Sequence, residues 1–326
     1  MKRLSKLFGA ALVSASLLAG SPAAQAKDTI LVTEAFHSLL YLPVYVARHQ
    51  GLFEKYDIEV SSIRAAGSGP VALASVLAGE AQFSVHGPEH VGFARERGGQ
   101  AHAISAVANS APVWVLARKE VQFSGPADLK GKRVAVGLAP GTSNTLIKRL
   151  ILDNKMKVGG DVRLIEVQNM LELGPVLAGS ADIAVVYQPV VEQGLAQGLK
   201  MVHDFTADYP EYAFSTINTS KKLIETNPGL VQRFVNAIRD SLALIHAQPE
   251  VAKAVARKEF DGLDPAVVNA AVQRMIDSNV YPPTVMITEK AFENAISMQQ
   301  FVGNIKGEMR YADLVDPSFA RNAMKK

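Results

Sequence analysis

The chain has 326 residues, 48% of them hydrophobic and 20% charged, which fits two well-cored domains and excludes a disordered or fibrous protein. Of its 34 Lys and Arg, three precede position 27, where no acidic residue stands. The remainder balances the 31 Asp and Glu and gives no reason to expect nucleic acid.

Taken in order, Lys2, Arg3 and Lys6, the apolar run Leu7–Ala19 and Ala24-Gln25-Ala26 read as a secretory signal over residues 1–26, which predicts a periplasmic protein. That run is too short to span a bilayer, and no later stretch reaches about 18 apolar residues. No cysteine occurs, which excludes disulfides, thiolate metal sites and a lipidated N-terminal cysteine. From Thr29 onward, short apolar runs alternate with amphipathic segments, the pattern of a βα architecture. Strands are expected at Thr29–Thr33, Ile58–Ile63, Phe83–Val85 and Ala101–Val107. Helices are expected at Leu40–Gln50, at Val71–Ala78 behind a first-turn Pro70, and at Glu89–Arg97. Ala111–Arg118 is extended and a turn-rich connector follows.

Val134-Ala135-Val136 then reads as a buried strand, with a Gly/Pro loop behind it. An amphipathic helix opens at Thr142-Ser143-Asn144, where Leu146, Ile147, Leu150 and Ile151 fall at helical spacing. A helix starting after Pro140-Gly141 leaves backbone N–H groups free and adds a partial positive charge, which suits an anionic or polar ligand. Taken alone, the same stretch is also what an ordinary capped helix looks like. Further strands are expected at Val162–Val167, Ile183–Val186 and Lys200–His203, and helices at Met170–Ala178 and Pro189–Gln197. Tyr212–Asn218 is a second extended segment. Past Asn227-Pro228, a long helix runs to Ala247, with further helices at Pro249–Phe260, Pro265–Ser278 and Thr288–Phe301 and a weakly patterned tail from Arg310.

One repeat organises these elements. Val76–Val85 (VLAGEAQFSV) recurs 100 residues later as Val176–Val185 (VLAGSADIAV), each copy a helix end, a Gly stop and a short strand. It predicts two similar lobes: residues 27–113 plus 216–326, and residues 114–215. The extended segments Ala111–Arg118 and Tyr212–Asn218 would carry the chain between them.

With these segments in view, the chain resembles the sulfonate, taurine, nitrate and thiamine-pyrimidine binding proteins that serve ABC importers. The likeness rests on LPVYVARHQGLFEKYDIEV (Leu42–Val60), AAGSGPVALASVLAGEAQFSV (Ala65–Val85), DLKGKRVAVGLAPGTSNT (Asp128–Thr145) and VLAGSADIAVVYQP (Val176–Pro189). The resemblance implies an α/β, two-lobed type II periplasmic-binding-protein fold, in which each lobe is a mixed sheet flanked by helices and extra helices follow at the C-terminus. It implies ligand clamped between loops at strand C-termini. From lobe one it brings forward His37, Ser38, Tyr41, Ser68, Gly69, His86 and Gly87. From lobe two it brings forward Gly141, Thr142, Ser143, Asn144, Gln168, Asn169, Tyr187 and Gln188. It also implies an inner-membrane ABC permease with its cytoplasmic ATPase as partner, a monomer and no cofactor. Many relatives have an aromatic residue, often Trp, near Tyr187, so ligand shape is expected to differ from that of the sulfonate binders.

Other chemistries fit less well. His37, His86 and His90 suggest a metal-binding transport protein, but the Gly87-Pro88 step interrupts the helix that would put His86 and His90 on one face. An enzyme related to thiamine-pyrimidine synthesis shares the fold, yet uses a cysteine-rich iron motif that this chain lacks. Ser143 has no G-x-S-x-G elbow around it. A scaffold has no need of facing polar loops. The expected solute is a small organic anion or an N-heterocycle, because no Arg or Lys stands in the cleft loops and flat side chains do.

Overall fold

The apolar runs become buried strands in two separate sheets. The structure is a computed structural model describing residues 27–325, so the expected signal segment lies outside the described residues. The first sheet contains β1 (Asp28–Glu34), β2 (Ile58–Ala65), β3 (Phe83–His86), β4 (Ala101–Ala108) and β10 (Ser215–Ser220), in the order β2-β1-β3-β10-β4. The second contains β5 (Trp114–Ala117), β6 (Arg133–Gly137), β7 (Arg163–Val167), β8 (Ile183–Val186) and β9 (Lys200–Asp204), in the order β7-β6-β8-β5-β9. Strands buried on both faces read as unbroken apolar runs, and β5 and β8 are buried at every residue.

The two sheets share one plan. Each has three parallel strands, in which the first pairs with both the second and the third. An antiparallel strand then joins the third: Thr216 lies opposite His86 in one sheet and Trp114 opposite Val186 in the other. That visiting strand comes each time from just beyond a passage between sheets. The chain changes sheet between Ala108 and Trp114 and again between Asp204 and Ser215. We propose lobe boundaries near these two passages. Both extended segments expected as crossings end as central strands.

The connecting helices are α1 (Leu42–His49), α2 (Gly69–Leu77), α3 (Glu89–Arg95), α4 (Thr142–Asp153), α5 (Leu173–Leu177) and α6 (Val190–Ala196). Helix α2 ends at Gly79 and α5 at Gly179, with φ of +82° and +75°, where a side chain would be strained. The repeat in the sequence is thus a repeat of backbone geometry.

Next come α7 (Phe205–Asp208), α8 (Lys221–Thr226), α9 (Pro228–Ala247), α10 (Pro249–Glu259), α11 (Pro265–Asp277), α12 (Glu289–Phe301), α13 (Tyr311–Leu314) and α14 (Ser318–Ala323). Asn227 caps α9 by accepting from the Leu230 N–H at 3.0 Å. The helical-period residues Val231, Phe234, Val235, Ile238, Leu242 and Ile245 are all buried. Phe234 stacks on Phe83 with ring centroids 4.0 Å apart, joining α9 to the first sheet. Two helices of this C-terminal group reach the other lobe: α11 packs on α6, and α12 on α4.

Three expectations need correction. The helix expected at Met170–Ala178 starts only at Leu173, because Met170 sits at φ +77° and holds its segment in a turn. Helices α7 and α8 were not anticipated, although Asp204 and Ser220 cap them by accepting from the Thr206 and Leu223 N–H groups. The tail is ordered by tertiary contact: Val315 bridges to Ala103, and Phe319, Ala320 and Ala323 are buried.

Candidate functional site

The C-terminal ends of the parallel strands of both sheets surround one cavity of about 190 Å³. Ala35 and Phe36 follow β1, Gly67 to Pro70 follow β2, and His86 ends β3 with Gly87 after it. Leu138 to Thr142 follow β6, Asn169 follows β7 and Tyr187 follows β8. Leu40, Tyr41 and His90 complete one wall, and Phe214 and Ser215 at the entry to β10 complete the other. Strand ends gather there because the helices leave each sheet at that edge.

Of the residues expected from sequence, Tyr41, Ser68, Gly69, His86, Gly87, Gly141, Thr142, Asn169 and Tyr187 line this cavity. His37, Ser38, Ser143, Asn144, Gln168 and Gln188 do not, and most are tied elsewhere. His37 faces Glu34 (3.1 Å) and the Glu259 carbonyl (3.1 Å). Burial pulls its pKa down, but Glu34 and Glu259 outweigh that and leave it raised. Asn144 donates to the Gly137 carbonyl at 2.9 Å, and Gln188 donates to Glu192 at 3.0 Å. Ser38 donates across the cleft to the Gln188 carbonyl at 2.9 Å.

The helix start at Gly141 is already partnered by protein. The Ser143 N–H donates to the Tyr187 hydroxyl at 2.9 Å, and the Thr142 hydroxyl donates to Glu89 Oε1 at 2.8 Å. The anion site expected there is therefore filled from within: Tyr187 and Glu89 use its donors. By contrast, Ser68 at the start of α2 makes no side-chain cap bond, and Ser68 and Gly69 both line the cavity.

Glu89 is the functional candidate that the sequence reading missed. Its carboxyl is fully buried, with Oε2 unpartnered, directly under the cavity wall: a Cβ at Gly87 would lie 2.1 Å from that oxygen. Burial pushes its pKa up to about 7, against the smaller opposing effect of hydrogen bonds from its own backbone and Thr142. Glu172 is a second buried carboxyl without partners, in the loop that carries Asn169, and burial pushes it up to about 7 as well. Asn169 Oδ1 is likewise buried and unpartnered. The only available signal for Glu89 was an acid just past a strand end, in a segment read as a helix.

The two histidines are neutral. His86 lies between Ser84 Oγ (2.9 Å from Nε2) and the Gly87 carbonyl (2.9 Å from Nδ1), and burial lowers its pKa to about 4. Its ring meets that of His90 edge-on at 5.0 Å, although the Gly87-Pro88 step does separate them in the chain. His90 is buried, has its pKa lowered by burial and by His86, and keeps Nδ1 unpartnered. The metal set of His37, His86 and His90 does not assemble, because His37 is held by Glu34 and Glu259. Among the described residues no group of three or more His, Asp or Glu is placed to hold a metal ion.

The cavity's flat surfaces come from both lobes. Phe36 and Tyr187 stack with centroids 5.4 Å apart and planes 27° apart, and Phe214 meets Tyr187 edge-on. Among the described residues no Lys or Arg lines the cavity. Further bonds hold the lobes together around it: Thr145 donates to Gln299 at 3.2 Å, and Arg274 pairs with Glu192 at 2.5 Å.

Comparison with known proteins agrees with this architecture. The family described as NMT1/THI5 like matches residues 40–252. YtlA of Bacillus subtilis (strain 168), provisionally described as a binding protein, is 22% identical over 331 residues, covering 98% of each chain. The alkanesulfonate-binding protein SsuA of Xanthomonas axonopodis pv. citri, solved with MOPS, superposes with a TM-score of 0.72 at 16% identity, over 90% of this chain and 99% of that one. The desulfurization enzyme DSZB superposes with a TM-score of 0.66 at 15% identity, over 92% and 99%. The fold is the two-lobed periplasmic-binding-protein fold.

Proposed function

Since the chain belongs to the NMT1/THI5-like family, we propose that it is the solute-binding protein of an ABC importer. It captures a small organic solute between its lobes in the periplasm and delivers it to a permease. The observation carrying this reading is the cavity itself, walled by the strand ends of both sheets and bridged by Thr142–Glu89 and Ser38–Gln188. Binding by closure of two lobes needs such a shared, enclosed space.

The cavity's chemistry narrows the solute. A cavity of about 150 Å³ holds a benzene molecule, so about 190 Å³ admits a single substituted ring or a compact short chain. The walls offer aromatic faces, an unpartnered acceptor at Asn169 and, among the described residues, no Lys or Arg. This set favours a flat N-heterocycle bearing N–H donors over an organic anion. The uncapped start of α2 at Ser68-Gly69 supplies the complementary donor for a ring nitrogen or a carbonyl oxygen of the same solute.

An enzymatic reading has less to stand on. Ser84 touches His86 at 2.9 Å, a contact of the kind that activates a nucleophile. Yet Ser84 is wholly buried in β3 and does not line the cavity. DSZB shares the fold, and a solved form of it is a cysteine-to-serine mutant; cysteine does not occur in this chain.

The test is a thermal-shift screen of aminopyrimidines and related heterocyclic amines against sulfonates, carboxylates and nitrate, with calorimetry and mass spectrometry on any hit. A heterocyclic amine at 100 times its Kd should stabilise the chain by about 2.7 kcal/mol, a shift of several degrees, and come back unchanged. Preferential binding of a sulfonate or nitrate would refute the solute class, and turnover would refute the binding role.

A further inference from the structure

A second cavity, of about 200 Å³, lies beside the first, where α2 packs on α3. Leu73, Ala74 and Leu77 line it from α2, Phe93 and Ala94 from α3, and Gly99 from the turn that follows. Small residues make the space. A Cβ on Gly99 would lie 3.1 Å from both Leu77 Cδ1 and Ala94 Cβ, so the glycine keeps that side open. Leu73 and Phe93 are buried. Among the described residues Arg97 is the one charged member of the lining, and it is exposed, at the solvent end. An apolar space of this size suits one aryl ring or a short alkyl chain, since about 150 Å³ already holds benzene.

Pro70 and His90 line both cavities. One proline and one imidazole ring are thus part of the partition between the two spaces. The His90 ring takes the place that a side chain at position 69 would fill: a Cβ on Gly69 would lie 2.2 Å from its Cε1 and Nδ1. Its Nδ1 is buried without a partner, and its Nε2 stands 3.8 Å from Glu89 Oε1, beyond hydrogen-bonding reach. The ring's aromatic neighbours are His86 at 5.0 Å and Phe93 at 5.6 Å between centroids. A ring held by packing can pass between staggered rotamers without breaking a hydrogen bond.

We propose that the cavity between α2 and α3 is a second compartment of the solute site: His90 swings aside to admit an aryl or short alkyl arm, while the flat polar head of the solute stays between the lobes. The inference rests on the solute-binding reading and adds to it the shape of the solute, a head and an arm of similar size. Both walls of the arm compartment belong to the lobe of the first sheet, so the arm can engage before the lobes close. Arg97 at its outer end disfavours an arm with a cationic tip.

The test is calorimetry on the full chain with 4-aminopyrimidine and its 5-butyl and 5-benzyl derivatives. Each derivative should bind at least about tenfold more tightly than the parent ring, from the apolar surface it buries. Ala74→Phe, at an exposed position of α2, fills the compartment; it should abolish that gain and leave the affinity for 4-aminopyrimidine unchanged. Ala94→Leu should do the same from the opposite wall. In the wild-type chain, the methyl resonances of Leu73 and Leu77 should shift with the benzyl derivative and not with the parent, and those of the exposed Leu152 with neither. Derivatives that bind no better than the parent, a gain that survives both filling variants, or unmoved Leu73 and Leu77 resonances would each overturn the proposal and leave the importer reading standing. If no aminopyrimidine binds, the heterocycle reading falls, and benzylsulfonate is compared with methanesulfonate in the same way. A gain for the benzyl compound that Ala74→Phe removes then supports the compartment, and no gain overturns it.

Discussion

At the scale of single residues, the chemistry turns on Glu89. A carboxyl whose pKa is raised by burial from the usual 4.5 to about 7 takes up a proton on folding. Its contribution to stability is complete below pH 4.5 and is lost as pH rises toward and through 7. His86, lowered to about 4, works in the opposite sense: its contribution is complete above 6.5 and is lost as pH falls toward 4. Glu172, pushed up to about 7 by burial, acts in the same sense as Glu89. His90, lowered as well, shares the sign of His86, and the two oppose the carboxyl loss up to about pH 6.5, so the solute-free chain should lose thermal stability between pH 6.5 and 8. Glu89→Gln should flatten that decline and gain most at pH 8, by on the order of 2 kcal/mol. A denaturation series at both pH values in wild type and variant checks it; parallel profiles would disprove the assignment. Tyr187→Phe is a separate probe. It leaves the stack on Phe36 but strips the Ser143 N–H of its acceptor. Chemical denaturation should show a loss of about 1–3 kcal/mol, the cost of a buried unsatisfied donor.

At the scale of elements, the strand–loop–helix units decide where side chains can stand. Gly137 ends β6, and a Cβ on it would lie 2.0 Å from Asn169 Oδ1. The clash falls on the end of a side chain, so Gly137→Ala should fold but push Asn169 out of the cavity. Calorimetry with the best heterocyclic amine should show roughly tenfold weaker binding, about one hydrogen bond's worth. The helix stops are a matter of backbone alone. Gly79 has open space around its missing Cβ, yet its φ of +82° disfavours any side chain. Gly79→Ala should therefore cost about 1–2 kcal/mol in denaturant unfolding and leave solute binding intact.

At the scale of the whole molecule, bonds between the lobes include Ser38 to Gln188 and Thr142 to Glu89, Thr145 to Gln299 and to Asn304, Arg274 to Glu192, and Glu211 to Thr288 and Asn294. Removing two of them should move the solute-free population toward an open form. In Ser38→Ala with Thr142→Val, small-angle scattering should give a larger radius of gyration than in wild type, and saturating solute should restore the smaller one. An unchanged radius would mean that the C-terminal contacts of α11 and α12 alone hold the lobes.

The sequence by itself determined the two sheets, most helix and strand positions, the repeat and the loops that face the cavity. Those follow from local rules: apolar period, Gly stops such as Gly79 and Gly179, and caps such as Asn227. It also carried nine of the cavity's lining residues, because strand ends in an open α/β sheet gather at one edge. Tertiary structure decided the rest. That the start of α4 is filled by Tyr187 and Glu89 depends on groups 44 and 53 residues away, which no local pattern links. Phe36 and Phe214 enter the cavity from ordinary apolar contexts, and His37 is turned away by Glu34 and by Glu259, 222 residues distant. Glu89 shows no sign in the chain of being buried without a counter-ion. Its burial arises only in the assembled fold, where α3 packs on α2, β4 and α12 and Thr142 reaches it from the other lobe, since desolvation is a property of what surrounds a group and not of the group itself.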